Sequence, residues 1–164
     1  MLLTSCNLFD PNGAIDDWKK KNESYFTNMK DSTGYVFDTI PASSGGGSYY
    51  YKVTTPGDLN SISTVSTDQV LVNYRGKRVN GSVFDQTYTG NVIPTDSTAT
   101  PVELYVSDTV RGWQENLEQM KVGETRLIVL PQELGYGPKG AGGAVNPYST
   151  TIWVVQLVQV FHTN

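Results

Sequence analysis

The 164-residue sequence predicts an α+β fold, an antiparallel sheet curled around one short helix and preceded by a helical extension. Three observations carry this reading. Sixteen glycines and eight prolines cut the chain into short segments, which suits strands better than long helices. Segments with apolar residues at every second position recur along the C-terminal two-thirds. Only two stretches carry the three- and four-residue apolar spacing of a helix. At this length the chain fits one compact domain plus an extension.

The elements follow in order. Pro11, Asn12 and Gly13 predict a flexible lead-in over residues 1–15. Residues 16–29 predict a helix, with Asp16 and Asp17 in its first turn, where negative charge suits the N-terminus. Its stripe of Ile15, Trp18, Tyr25, Phe26 and Met29 is broken only by Asn22, and the stripe predicts packing on the main domain. The stretch PASSGGGS at 41–48 reads as a linker or loop. The expected division is therefore an extension over 1–48 and a main domain over 49–164.

Within that domain, residues 49–54 read as a strand closed by the Pro56-Gly57 turn. Residues 69–76 form the next, with Val70, Val72 and Tyr74 on its buried face. Asn80-Gly81 marks a tight turn, and residues 86–100 a long polar loop. A short strand at 101–106 leads to a helix over 109–120, capped by Asp108 or Thr109, with Val110, Trp113, Leu117 and Met120 on one face. A strand at 124–130 places Thr125, Leu127 and Val129 on one side. Residues 131–149 hold five glycines and three prolines and read as a loop wrapped over a site. Residues 150–161 are the most strand-like, with Trp153, Val155, Leu157 and Phe161 sharing a face.

A net charge of −4 with no basic run argues against nucleic-acid binding. No apolar run is long enough to span a bilayer. The single cysteine, Cys6, excludes an intrachain disulfide. Its setting, Leu3-Thr4-Ser5-Cys6, resembles the bacterial lipobox, which implies lipid attachment at Cys6 and anchorage to an envelope membrane without spanning it.

The residues that carry chemistry are aromatic rather than acid–base. Tyr74, Phe84, Asp85, Trp113 and Tyr136 could line a small apolar cup, with no nucleophile–base pair and no metal-ligand cluster beside them. Taken singly, Tyr74, Phe84 and Trp113 read as core. Tyr136 between two glycines does not, and Asp85 after Phe84 is either a turn former or a pocket acid bonded to Tyr74.

Three motifs in order, VLVNYRGKRVNGSVFD, VRGWQENLEQMKVGETRLIVLPQELGYG and TIWVVQLVQV, resemble the FKBP-type peptidyl-prolyl cis-trans isomerases. The resemblance runs from residue 49 to 162. It implies a five- or six-stranded antiparallel sheet wrapped around a short helix, with an apolar site between them and no cofactor. It implies that Tyr74, Phe84, Asp85, Trp113 and Tyr136 are the catalytic set, Trp113 as the floor and the Tyr136 hydroxyl as a donor to a ligand carbonyl. Val102, Thr109, Val110, Val145 and Trp153 would contact substrate, Val110 through its backbone N–H. Val102 stands where Phe is common, Asn146-Pro147 where Pro-Pro is usual, and Trp153 where Phe is usual, departures that would tune preference or rate. The implied function is isomerisation of X-Pro bonds in envelope proteins. The alternative is a catalytically weak proline-segment binding or chaperone module on a membrane-anchored lipoprotein. Expected partners are proline-containing polypeptides, with macrolide inhibitors of the family as possible ligands. The implied location is the bacterial cell envelope, facing the periplasm or the surface.

Overall fold

The computed structural model describes residues 11–94 and 98–163. Cys6 lies outside them. Among the described residues two α-helices, α1 (Pro11–Asn28) and α2 (Arg111–Gln119), accompany seven strands: β1 (Val36–Thr39), β2 (Ser48–Thr55), β3 (Gln69–Arg78), β4 (Val83–Gln86), β5 (Val102–Tyr105), β6 (Thr125–Leu130) and β7 (Thr151–Phe161). They form one antiparallel sheet in the order β1-β2-β6-β7-β3-β4, with β5 also paired to β3. The predicted fold class stands, with β1 and β4 as additional strands.

α1 begins at Pro11, ahead of the expected start. Proline suits the first turn because its missing N–H would have no partner there, so Pro11 opens a helix where composition suggested a lead-in. Asp16 and Asp17 consequently lie beyond its first turn. The Gly/Ser stretch is the loop of the β1–β2 hairpin, closed by Ile40 N–H to the Gly47 carbonyl at 2.8 Å. The sheet's first strand thus precedes residue 49.

Two apolar clusters flank the sheet. The main one packs Trp113 and Leu117 of α2, and Met120 just after it, against Tyr49, Val70, Val72, Ile128, Leu130, Trp153, Val155 and Leu157. The smaller one, on the back, packs Met29, Tyr50 and Val129 with Tyr25, Phe26 and Ile152. Alternation along β2, β6 and β7 delivers neighbouring residues to opposite clusters. On β6 Ile128 and Leu130 face the main core, and Thr125, Leu127 and Val129 share the opposite side. On β7 a bulge opposite Leu71 and Val72 shifts the phase, so Val160 packs against the core and Phe161 does not.

β3 changes partners midway. Gln69 to Val72 pair with β5, and Arg75 to Lys77 with β4. Between them Tyr74 bonds to Thr87 instead: its N–H donates to Thr87 Oγ1 at 2.9 Å and its carbonyl accepts the Thr87 N–H at 2.9 Å. Tyr74 thus stands at an opening between Asp85 of β4 and Leu104 of β5.

Candidate active site

A cavity of about 180 Å³ lies at that opening, lined by Tyr74, Asp85, Leu104, Asp108, Thr109, Val110, Trp113, Tyr136 and Trp153. Its walls are rings set edge to face. Trp153 is the hub, with centroid distances of 5.0 Å to Trp113, 5.0 Å to Phe84 and 5.9 Å to Tyr74. Tyr74 meets Trp113 at 5.3 Å and Phe84 meets Tyr136 at 6.3 Å. This geometry points the positive ring edge at the negative face of the neighbour and stabilises each pair by about 0.5–1.5 kcal/mol beyond burial. Phe84 therefore supports Tyr136 and Trp153 from behind the lining.

Glycine makes room for the hub. Gly76 on β3 sits opposite Trp153 on β7 and Asp85 on β4. A Cβ there would lie 2.6 Å from the Trp153 ring and 2.7 Å from the Phe84 ring. Trp153 is further fixed by its indole N–H, which donates to Thr151 Oγ1 at 2.9 Å. The Trp113 indole N–H is buried without an acceptor among the described residues.

The polar groups are few. The Tyr74 hydroxyl donates to Asp85 Oδ2 at 2.9 Å. Burial, then the hydrogen bond to Asp85 and its charge, holds the Tyr74 hydroxyl well above the usual phenol range. Burial and, less strongly, Asp85 also raise Tyr136. Both phenols are therefore neutral donors at physiological pH. α2 opens onto the cavity through Val110, which precedes its first turn without a side-chain cap. Neither Asp108 nor Thr109 serves as the expected cap; the Thr109 hydroxyl donates to the Val106 carbonyl at 2.8 Å. The partial positive charge of the helix's first turn therefore starts beside Val110, at the cavity wall.

Of the residues read from sequence, Tyr74, Asp85, Thr109, Val110, Trp113, Tyr136 and Trp153 come together around the cavity, with Phe84 behind them. Val102 and Val145 stand away from the lining. Val102 opens β5 opposite Val72 and is 37% exposed, beyond the reach of the cavity lining. Val145 is buried within its own loop, bridged to Ala141. Leu104, two residues beyond Val102 on the same face of β5, supplies the wall instead, and Asp108 joins the rim. The period of two from Val102 could have found Leu104. Arg78 was not singled out either. Its guanidinium lies over the Phe84 ring at 5.7 Å and donates to the Ala144 carbonyl, tying the loop at 137–149 to the β3–β4 hairpin. A roomier cavity of about 300 Å³ between α1 and the segment after β6 carries no comparable ring cluster.

The model of the FKBP-type peptidyl-prolyl cis-trans isomerase family matches residues 61–158. A probable FKBP-type peptidyl-prolyl cis-trans isomerase of Haemophilus influenzae is 37% identical over 110 residues, 67% of this chain and 42% of that protein. The outer membrane protein MIP of Legionella longbeachae is 28% identical over 149 residues, 91% of this chain and 57% of that protein. The crystal structure of FkpA from Escherichia coli superposes with a TM-score of 0.71 at 26% identity, covering 91% of this chain and 62% of that one. The chain thus spans about two-fifths of the length of the Haemophilus relative. Among the described residues no helix is long and apolar enough to cross a membrane.

Proposed function

This chain belongs to the FKBP-type peptidyl-prolyl cis-trans isomerase family, and on that premise we propose that it catalyses rotation about X-Pro bonds in the Trp113–Trp153 hollow. The observation that carries the proposal is the joint arrangement: five interlocked rings around a small cavity, with neutral phenol donors at its wall.

The chemistry requires no covalent step. Resonance sets a barrier of about 18–20 kcal/mol to rotation and places partial negative charge on the carbonyl oxygen, which water stabilises. Before proline both isomers are populated and exchange over tens to hundreds of seconds. A dry aromatic hollow withdraws that water and penalises the planar, polar form more than the twisted one. In this reading the Tyr136 hydroxyl and the Val110 N–H hold a substrate carbonyl while the proline ring sits on Trp113. An acceleration of about 10⁴-fold corresponds to about 5.5 kcal/mol, within reach of packing and two hydrogen bonds. The cavity is smaller than the roughly 300–1,000 Å³ of drug-sized sites, which suits one proline ring.

A protease-coupled assay on proline peptides tests this. Micromolar protein should accelerate the slow phase, and folded Trp113→Ala should lose most of the effect; no acceleration by the unaltered protein refutes the proposal. Titration with a macrolide inhibitor should quench the tryptophan fluorescence. The second reading, a binding module with slow turnover, is favoured by the position of Val102, which leaves the β5 wall to Leu104 alone. Peptide binding without acceleration would select it.

The proposed setting is the cell envelope, with proline-containing polypeptides as clients. The similarity to an outer membrane protein and the motif at Leu3–Cys6 support it. Cys6→Ala should move the protein from the membrane to the soluble fraction; unchanged partitioning would remove the anchor from the proposal.

A further inference from the structure

Three successive residues leading out of the loop at 137–149 are each held by α1. The Trp18 indole N–H donates to Ser149 Oγ at 3.1 Å. The Lys19 ammonium lies 5.0 Å above the Tyr148 ring. Asn22 Oδ1 accepts the Thr150 N–H at 2.8 Å, and the Thr150 hydroxyl donates to the Asn22 carbonyl at 3.0 Å. The Asn22 amide is satisfied at its other end by the Trp18 carbonyl, at 2.8 Å. It is 1% exposed, the most buried of the residues described from 13 to 28. An apolar side chain would pack here as well, but it would strand the Thr150 N–H away from water. The break in the apolar stripe is therefore the specific part of the contact.

The segment so held is conformationally unusual. Tyr148 adopts φ 58°, the left-handed region that a bulky residue occupies only when its surroundings enforce it. Its N–H bonds to the Gly137 carbonyl at 3.0 Å, and the Ser149 hydroxyl donates to the Asn146 carbonyl at 2.7 Å. Gly137 directly follows Tyr136. At the other end, Thr150 adjoins Thr151, whose hydroxyl accepts from Trp153. The contact with α1 thus lies one step from both a donor and the hub of the hollow.

We propose that α1 is a positioning element for the hollow, and that Trp18 and Asn22 are its positioning residues. By fixing residues 148–150 they hold the loop that carries Tyr136 and the root of the strand that carries Trp153. The structural half of this proposal stands by itself; its effect on turnover rests on the isomerase reading.

The test compares the full chain with Asn22→Leu, Asn22→Asp and Trp18→Phe. In Asn22→Leu, amide hydrogen exchange across 137–150 should rise about tenfold, the scale of one lost buried hydrogen bond, while β3 and β6 keep their protection. KM for a proline peptide should rise several-fold, with kcat changed less than about twofold. Asn22→Asp keeps the acceptor for Thr150 and should restore most of both. Trp18→Phe keeps the packing, loses one donor and should fall between; it decides the matter if Asn22→Leu does not fold. Unchanged exchange at 137–150, or exchange raised equally across β3 and β6, overturns the proposal. If the unaltered protein shows no isomerase activity, the isomerase reading fails alone, and the exchange pattern still decides the role of α1.

Discussion

Gly76 and Trp153 set each other's identity across two strands. The indole of Trp153 occupies the space a Cβ at Gly76 would need, and the Phe84 ring shares it. Gly76→Ala should therefore displace the hub and destabilise the protein by about 1–3 kcal/mol, which lowers Tm by roughly 2–4 °C per kcal/mol at this size. Calorimetry checks this; an unchanged Tm would mean that the hub shifts freely. The motif around Tyr74 made the ring visible in the sequence, but the demand on Gly76 comes from a partner on β7, which local spacing cannot reveal. The phenols carry a second prediction. Tyr74 and Tyr136 are both raised from an ordinary value near 10, so neither loses its proton between pH 6 and 9. A pH profile of kcat/KM should be level across that range on their account. A limb near neutrality that vanishes in Tyr136→Phe would contradict it.

At the scale of elements, α2 is seated by a buried ion pair. The Arg126 guanidinium on β6 bonds Glu124, donates to Asn116 Oδ1 of α2 at 3.3 Å and lies 4.5 Å from the centre of the Tyr51 ring. Asn116 in turn donates to the Gly112 carbonyl, at 2.8 Å, one residue before Trp113. Glu124→Ala leaves a buried cation without its partner and should cost about 3–5 kcal/mol, read as a fall in the denaturation midpoint; Glu124→Gln should cost less. A change below about 1 kcal/mol in Glu124→Ala would show that Tyr51 and Asn116 hold Arg126 unaided. The strands at 69–76 and 150–161 were legible because alternation persists over enough residues to declare a face, and that at 49–54 because a run of tyrosines ends at the Pro56-Gly57 turn. β1 was not: four residues, with Val36 and Phe37 exposed at the sheet edge, carry no such pattern. The phase of β7 beyond Leu157 was hidden because a bulge is set by the partner strand. Asn22 looked like a flaw in an apolar stripe, since its acceptor role depends on Thr150, far along the chain.

Across the whole molecule, the hollow and the sheet share one electrostatic character, with buried phenols kept neutral. The Tyr49 hydroxyl donates to Asp38 of β1 at 2.8 Å, and burial followed by that bond raises it well above 10. Raised values for Tyr49 and Tyr74 mean that the folded state holds more protons than the unfolded chain once pH exceeds about 10. Their contribution is fully present below that pH and is lost as pH climbs through the folded values. Urea midpoints should therefore hold between pH 7 and 9 as far as these groups are concerned and fall above about pH 10; Tyr49→Phe should flatten the fall, and a fall of equal steepness in that variant would contradict the assignment. Rotation of an X-Pro bond in a water-poor ring of aromatics is read out by exchange NMR on a proline peptide. The unaltered protein should accelerate cis–trans exchange at micromolar concentration. Tyr136→Phe should reduce kcat/KM by about 5- to 30-fold, the scale of a lost hydrogen bond of 1–2 kcal/mol, and Asp85→Leu should also reduce it. Exchange at the uncatalysed rate would show that the hollow does not rotate the bond, and acceleration equal in all three proteins that Tyr136 and Asp85 take no part in it.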